Sequence, residues 1–364
     1  MRIFIIQLCL QLLLAFNLLQ AQPYSAYVND RLEFYILDRT EVKKIDYLQP
    51  FSYKIGANSV AYIDNTKNFK IYRNGKSIQL AEGYTDYYFP GTQLLTVSAN
   101  QMLYVFNSSN EKTNILSTVC NRYVAGDSIV AFYDSRFYNF NYYQNGQIIK
   151  LEDGIIGDPV ENLVAGDNIL AYNNVFNNFK IVYRGEVIEQ DNRKAISIMA
   201  AANTVAYVDG NNAFNIFYKG ETFEVSPFLP KNFFIGDNLV AFTDNTNQFN
   251  IFYDGKTTAL GNFNPTYIKI VDNMLVYSDA TKGLSVFYKG DTYRLENFIP
   301  QDIMVSSNSI SYIDASGRIQ FFSFGKNIDV EYQATEGLQL DFDVLRVQTS
   351  FNTYRFYYKD KIFE

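Results

Sequence analysis

Carboxylates, thiol, hydroxyl and amine groups carry whatever side-chain chemistry this chain performs, because its 364 residues include no histidine. Without imidazole there is no Ser-His-Asp or Cys-His nucleophile, no His-ligated zinc and no imidazole general base. The sequence holds no glycine-rich phosphate loop either. Acidic pairs remain, and two carboxyl groups roughly 5–10 Å apart suffice for glycoside hydrolysis. One stretch concentrates them: "LEDGIIGDPVENLVAG", residues 151–166, contains Glu152, Asp153, Asp158 and Glu161. Its competing reading is a long solvated loop with ordinary surface acids, and that reading is preferred. No catalytic residue is assigned.

Two further series recur with a fixed spacing. Asp64, Asp134, Asp209, Asp244, Asp279 and Asp314 each follow an apolar run, as in "DNTN" and "DGNN". Calcium requires six to eight converging oxygens, whereas a single Asp among Asn and Thr is ordinary turn chemistry. The turn reading is adopted, so neither a metal nor a cofactor is expected. Phe228, Phe263 and Phe298 form the second series, each two residues before a proline. They are the candidate binding residues: either a row of exposed rings on one rim, which is a recognition surface, or plugs between structural units. Cys120 is read as a small buried apolar side chain. Cys9, the other cysteine, lies in the N-terminal apolar run, so no intramolecular disulfide is expected.

The elements that must position these residues repeat. "NLVAFTDNTNQFNIFYDGKTTAL" (238–260) returns as "NTVAYVDGNNAFNIFYKGETFEV" and "NSVAYIDNTKNFKIYRNGKSIQL". Gly185, Gly220, Gly255 and Gly290 advance by 35 residues, and the Ala-aromatic position marks ten units from Tyr27 to Val347. Such a period is the signature of a repeat architecture. Each unit contains four short runs of β-branched and aromatic residues separated by tight turns, an antiparallel meander. In "LVAFTD" the two faces are both apolar, Leu239 and Ala241 on one and Val240 and Phe242 on the other, so both must be covered. A two-layer sandwich does not satisfy that pattern. Small sheets stacked face to face around an axis do. The expected fold is an all-β propeller of ten four-stranded repeats of about 35 residues, with a single ring favoured over two smaller ones. The 31 Phe and 30 Tyr are then mainly filling between blades, with Ala241 and its equivalents offering the small surface that a bulky neighbour needs.

On these residues the repeat resembles that of TolB-type, WD40-like propeller proteins, in which an apolar strand precedes an Asp-bearing turn, an "IY" strand and a Gly turn. "GDN" and "AAN" depart from the Pro-Asp-Gly-type turn of that family. The resemblance implies a propeller in or outside the cell envelope and carries over no functional residue.

Residues 1–21 read as a secretory signal peptide, with Arg2, an apolar run from Ile3 to Leu19 and Ala21 before the cut. The repeat domain then spans 22–364, exported to the periplasm, the outer surface or the medium, with no further membrane-spanning segment expected. The net charge of −7 and the lack of a Lys/Arg cluster give nucleic acid no electrostatic footprint. The function expected is a non-catalytic binding or scaffold module for a protein or glycan partner. The alternative is a carboxylate-dependent polysaccharide-active enzyme working at the channel mouth.

Overall fold

In the computed structural model, residues 24–83, 85–120, 122–153, 160–333 and 337–364 are described. The signal-peptide segment and Asp158 lie outside them. The chain folds into ten antiparallel sheets in strict sequence order. Blade 1 covers 24–46, blade 2 52–81, blade 3 85–116, blade 4 123–152 and blade 5 160–191. Blade 6 covers 197–226, blade 7 232–262, blade 8 268–296, blade 9 304–333 and blade 10 339–363. Nine sheets have four strands. The sheet of blade 1 shows three, and the segment before it is outside the described residues.

From blade 4 to blade 10, and between blades 2 and 3, the first strands of successive blades touch one another around the axis, while fourth strands such as Lys76–Ala81 are largely exposed. Within a blade, tight turns set the register. Gly255 adopts φ 80° beside Asp254 at 46°, the positive-φ pair that matches a two-residue hairpin to the strand twist. Tyr253 then pairs with Lys256 across it.

The core is distributed between blades rather than concentrated in one mass. Val240, Phe242 and Phe252 of blade 7 pack with Ala206, Phe214 and Ile216 of blade 6. Leu239, Ala241, Phe249 and Ile251 face the other way, onto Leu275, Tyr277 and Phe287 of blade 8. Successive strand residues thus serve opposite neighbours, as alternation requires. Ala241 is fully buried, and its small side chain leaves room for the rings of the next blade. Phe249 meets Tyr277 at 5.4 Å between ring centroids, tilted by 51°, a favoured aromatic arrangement.

The ring closes where blade 10 meets blade 1. Tyr27 and Leu37 pack with Val344, Tyr354 and Phe356. Ser25 Oγ donates to Asp341 Oδ2 at 3.0 Å, and Asn352 N donates to Asp30 Oδ2 at 2.7 Å. Arg346 occupies the register position that is Ala241 in blade 7. Its guanidinium lies 5.0 Å from the Tyr27 ring and 5.4 Å from that of Tyr354, so a cation–π contact fills this seam.

Candidate functional site

Two surfaces differ in how their side chains are held. The first is the mouth of the central channel, on the face formed by the turns between first and second strands. A cavity of about 660 Å³ opens there, lined from blades 2 to 5 and 8 to 10 by residues including Lys54, Phe89, Asp127, Asp167 and Asp272. Deeper wall residues are apolar, with Tyr87, Val124, Leu163, Val164 and Met199 bounding a second cavity of about 670 Å³.

Asp127, Asp167, Asp237 and Asp272 share one position in the repeat and form an acidic collar at this mouth. Burial, and then the neighbouring charges of Asp127 and Asp272, push the Asp167 carboxyl up to about 6. Burial, Asp272 and Asp167 push Asp237 up to about 7. Like charges in a poorly solvated ring disfavour full ionisation.

The collar is also the joint between blades. Ser128 N donates to Asp167 O at 2.7 Å and Asp237 N to Asp272 O at 2.8 Å. Asn238 N and Asn308 N donate to Asn273 Oδ1 (3.1 Å) and Asp343 Oδ1 (2.7 Å) of the next blade. Thr92 N and Oγ1 both donate to the Asp127 carboxylate. The glycine of "GDN" permits this closeness. A Cβ on Gly236 would stand 1.9 Å from Asp272 O, and one on Gly166 would stand 2.0 Å from Ala201 O.

The second surface is the opposite face, built from the turns between second and third strands and the crossovers from one blade to the next. Its recurring Asp residues are satisfied inside their own turns. Asp64 Oδ1 accepts from Thr66 N (2.8 Å) and Asn68 N (2.9 Å), and Asp244 repeats the pattern with Thr246 N and Gln248 N. Burial alone would raise Asp64, but Lys70 and Thr66, with those N–H groups, hold it at about 2. Ser316 and the N–H groups of its turn hold Asp314 below the usual range. The carboxylates are thus turn caps. What this face presents outward is apolar: most of the exposed large hydrophobic side chains are on it, among them Tyr47, Phe51, Phe137, Phe176, Phe228 and Phe351.

The repeat count, the single ring and the uninterrupted blade order match one family model over residues 18–363, that of a 10-bladed beta propeller domain. This chain belongs to that family. No curated protein matches it. Among solved structures it is similar to the computationally designed Ika8 protein, at 12% identity over 74% of this chain and 95% of that one, with TM-score 0.37. It is also similar to the CRINKLY WD40 ectodomain of the Arabidopsis thaliana receptor kinase ACR4, at 9% identity over 67% and 96%, TM-score 0.37. A third is PorZ, a bacterial surface component of the type-IX secretion system of Porphyromonas gingivalis, at 10% identity over 78% and 45%, TM-score 0.32. The family is thus the ten-bladed propeller; for the TolB type, nothing beyond the common propeller fold is matched.

The three candidate phenylalanines of this ten-bladed propeller all lie in crossovers on the turn face, but they are not equivalent. Phe228 is 58% exposed and Phe298 37%. Phe263 is half-buried, packed on Leu239, Phe249 and Tyr277, with its ring 5.5 Å from that of Phe249. Gly261, at φ 147°, turns the chain back so that Phe263 folds inward, and a Cβ there would press on its ring at 3.0 Å. Phe228 has no such glycine; its N–H is held at 3.2 Å by Ser226 Oγ, and its ring faces outward. Phe298 borders a polar cleft of about 480 Å³ with Glu296, Asp314 and Arg318.

The acids of the enlarged linker do not form a catalytic pair among the described residues. Glu152 accepts from Lys180 Nζ (2.8 Å) and Tyr172 OH (3.0 Å), Asp153 pairs with Lys150 at 2.6 Å, and Glu161 pairs with Lys194. The collar acids escaped sequence reasoning because "GDN" is indistinguishable from turn chemistry until ring closure brings its copies together. Cys120 is half-buried against the core between blades 3 and 4, and burial pushes its thiol up to about 11; such a thiol is a poor nucleophile.

Proposed function

We propose that this ten-bladed propeller is an exported, non-catalytic scaffold that holds a protein or glycan partner at the cell envelope or surface through its turn face. The observation that carries the reading is the one-sided distribution of exposed apolar side chains. Monomeric proteins rarely expose contiguous apolar patches beyond a few hundred Å², and aromatic residues with Arg are the composition of binding surfaces. Arg136 lies 5.3 Å from the ring of Phe137, and Lys67 6.0 Å from that of Phe51. The signal-peptide reading of residues 1–21 supports export. Affinity recovery from the native envelope tests the proposal: the chain retains a partner, and Phe228→Ser with Leu229→Ser loses it at unchanged melting temperature. Recovery undiminished by that pair of changes contradicts it.

A second reading, a carboxylate-dependent polysaccharide-active enzyme, is favoured by the raised carboxyls of Asp167 and Asp237 at the channel mouth. It requires cleavage of a polysaccharide that Asp237→Asn abolishes.

A further inference from the structure

The exposed apolar residues of the turn face fall into two arcs. One runs over blades 4 to 7 and includes Phe137, Phe176 and Phe228; Phe176 is 73% exposed. The other runs from blade 9 through the seam to blade 2 and includes Phe351, Leu32 and Tyr47, of which Tyr47 is 76% exposed. The second arc is continuous across the closure, because the turns bearing Leu32 and Phe351 are tied by Asp30 N to Asn352 Oδ1 at 3.1 Å. Between the arcs lie two polar sectors. Asn100 and Gln101 mark the one at blade 3, and Thr281 and Lys282 the one at blade 8. Five blades separate these sectors, so they sit at opposite ends of one diameter of the ring.

We propose that the turn face pairs with the turn face of a second copy of this chain, about a two-fold axis along that diameter. The inference rests on the reading of this face as the binding surface, and names its partner. Two-fold contacts are isologous and need a self-complementary patch. Rotation about the blade 3–blade 8 diameter lays each apolar arc on the other arc of the second copy, while the polar sectors meet their own images. A perpendicular two-fold would lay each arc on itself; rotation about the blade 3–blade 8 diameter instead sets the Phe137 turn of blade 4 opposite the Lys67 turn of blade 2, an aromatic ring facing a cation. Charges of both signs are exposed on each arc, Arg136, Arg193 and Lys231 beside Asp153 and Glu161 on the first, and Arg31, Lys67 and Arg318 beside Asp30 and Asp302 on the second. Several of the cations are already neutralised within their own turns, Arg136 by Asp134 at 2.9 Å and Arg318 by Asp314 at 3.3 Å, so desolvating them is less costly. The apolar area also fits. A buried aromatic side chain covers ~150–250 Å², so a dozen half-exposed apolar groups offer on the order of 1,000 Å² per copy, at least the ~800 Å² per partner of a stable interface.

Sedimentation equilibrium of the purified chain, between about 1 and 100 μM, tests the pairing. The expected result is a dimer, weakened at least tenfold by Phe176→Ser with Phe351→Ser at unchanged melting temperature. Orientation is read by oxidation in a Cys120→Ala background: Lys282→Cys, near the axis, links to its own copy, and Phe137→Cys does not. A monomer at the highest concentration overturns the proposal, as does a dimer indifferent to the two substitutions, or self-linking at Phe137→Cys with none at Lys282→Cys. A monomer that co-sediments with phosphatidylcholine vesicles overturns it in favour of a lipid surface. A monomer whose Phe176→Ser variant loses a different envelope protein overturns it too, and leaves the binding-face reading standing.

Discussion

The same residue, aspartate, recurs on both faces of this ring and is treated in opposite ways. On the turn face Asp64 and Asp244 accept N–H groups two and four residues ahead. Each turn is electrostatically complete, and its outer residues are released for other work. At the channel mouth Asp127, Asp167, Asp237 and Asp272 look at one another, and bonds such as Asp237 N to Asp272 O join one blade to the next. One face therefore couples blade after blade, whereas the Asp turns of the other are complete in themselves, with ties between neighbouring blades at places such as the closing seam, where Asp30 meets Asn352. A repeat places the chain at regular angles, but only the face whose residues are not committed to coupling can vary its tips. The apolar side chains are found there.

The largest expected effect lies on the coupling face. Gly236→Ala drives a Cβ to 1.9 Å from the Asp272 carbonyl and should cost ~3 kcal/mol or more, read as a lowered urea midpoint, since overpacking typically costs 1–3 kcal/mol and backbone cannot yield as a side chain does. Gly317→Ala, in the second-to-third-strand turn of blade 9, sharpens the contrast: the position has φ 80° but nothing within 4 Å, so only the left-handed backbone penalty of ~1 kcal/mol applies. A Gly236→Ala protein as stable as the parent would break the distinction.

Next in size is the split among the phenylalanines. Phe263→Ser removes a ring packed on Phe249 and Tyr277 and should destabilise by ~2–3 kcal/mol, below the ~3–5 kcal/mol of a fully buried ring. Phe228→Ser should stay within ~0.5 kcal/mol, as surface changes do. Equal costs at the two positions would contradict the assignment of one as plug and the other as surface.

A third contrast is in the pH dependence, and its two limbs have opposite sign. Asp167 and Asp237 have folded values raised to about 6 and 7. The folded state binds more protons than the unfolded one between about pH 4 and 7, so stability falls as pH rises through that window. Asp64, held at about 2, contributes stability above about pH 4 that is lost as pH falls towards 2. Melting temperature should therefore peak near pH 4. Asp237→Asn should flatten the alkaline limb, and Asp64→Asn the acid one.

The architecture was legible because a 35-residue period with two apolar faces per strand admits few solutions. Val240 and Ala241 could be assigned to opposite neighbours from alternation alone, and they pack so. The fate of Phe263 was not legible, because Phe228 and Phe263 share a register and a following proline, and the Gly261 that turns Phe263 inward, where the other unit has Ser226, is one of several differences between the two crossovers. The collar was invisible for a different reason. A turn Asp 35 or more residues from the next carries no sign that closure will place the two side by side. Arg346 stands at the Ala position of the repeat, and no local pattern marks it as the cation that fills the closing seam.

Covalent carbene footprinting of the purified chain, diluted until it sediments as a monomer and then in native envelope extract, tests most directly whether the turn face is the one that binds. The account predicts protection at turn-face tips such as Tyr47, Phe137, Phe176 and Phe228, with the channel-wall Met199 and the collar residue Asp167 labelled equally in both samples. Protection confined to Met199 and the collar, with the turn-face tips fully labelled in the extract, would contradict it.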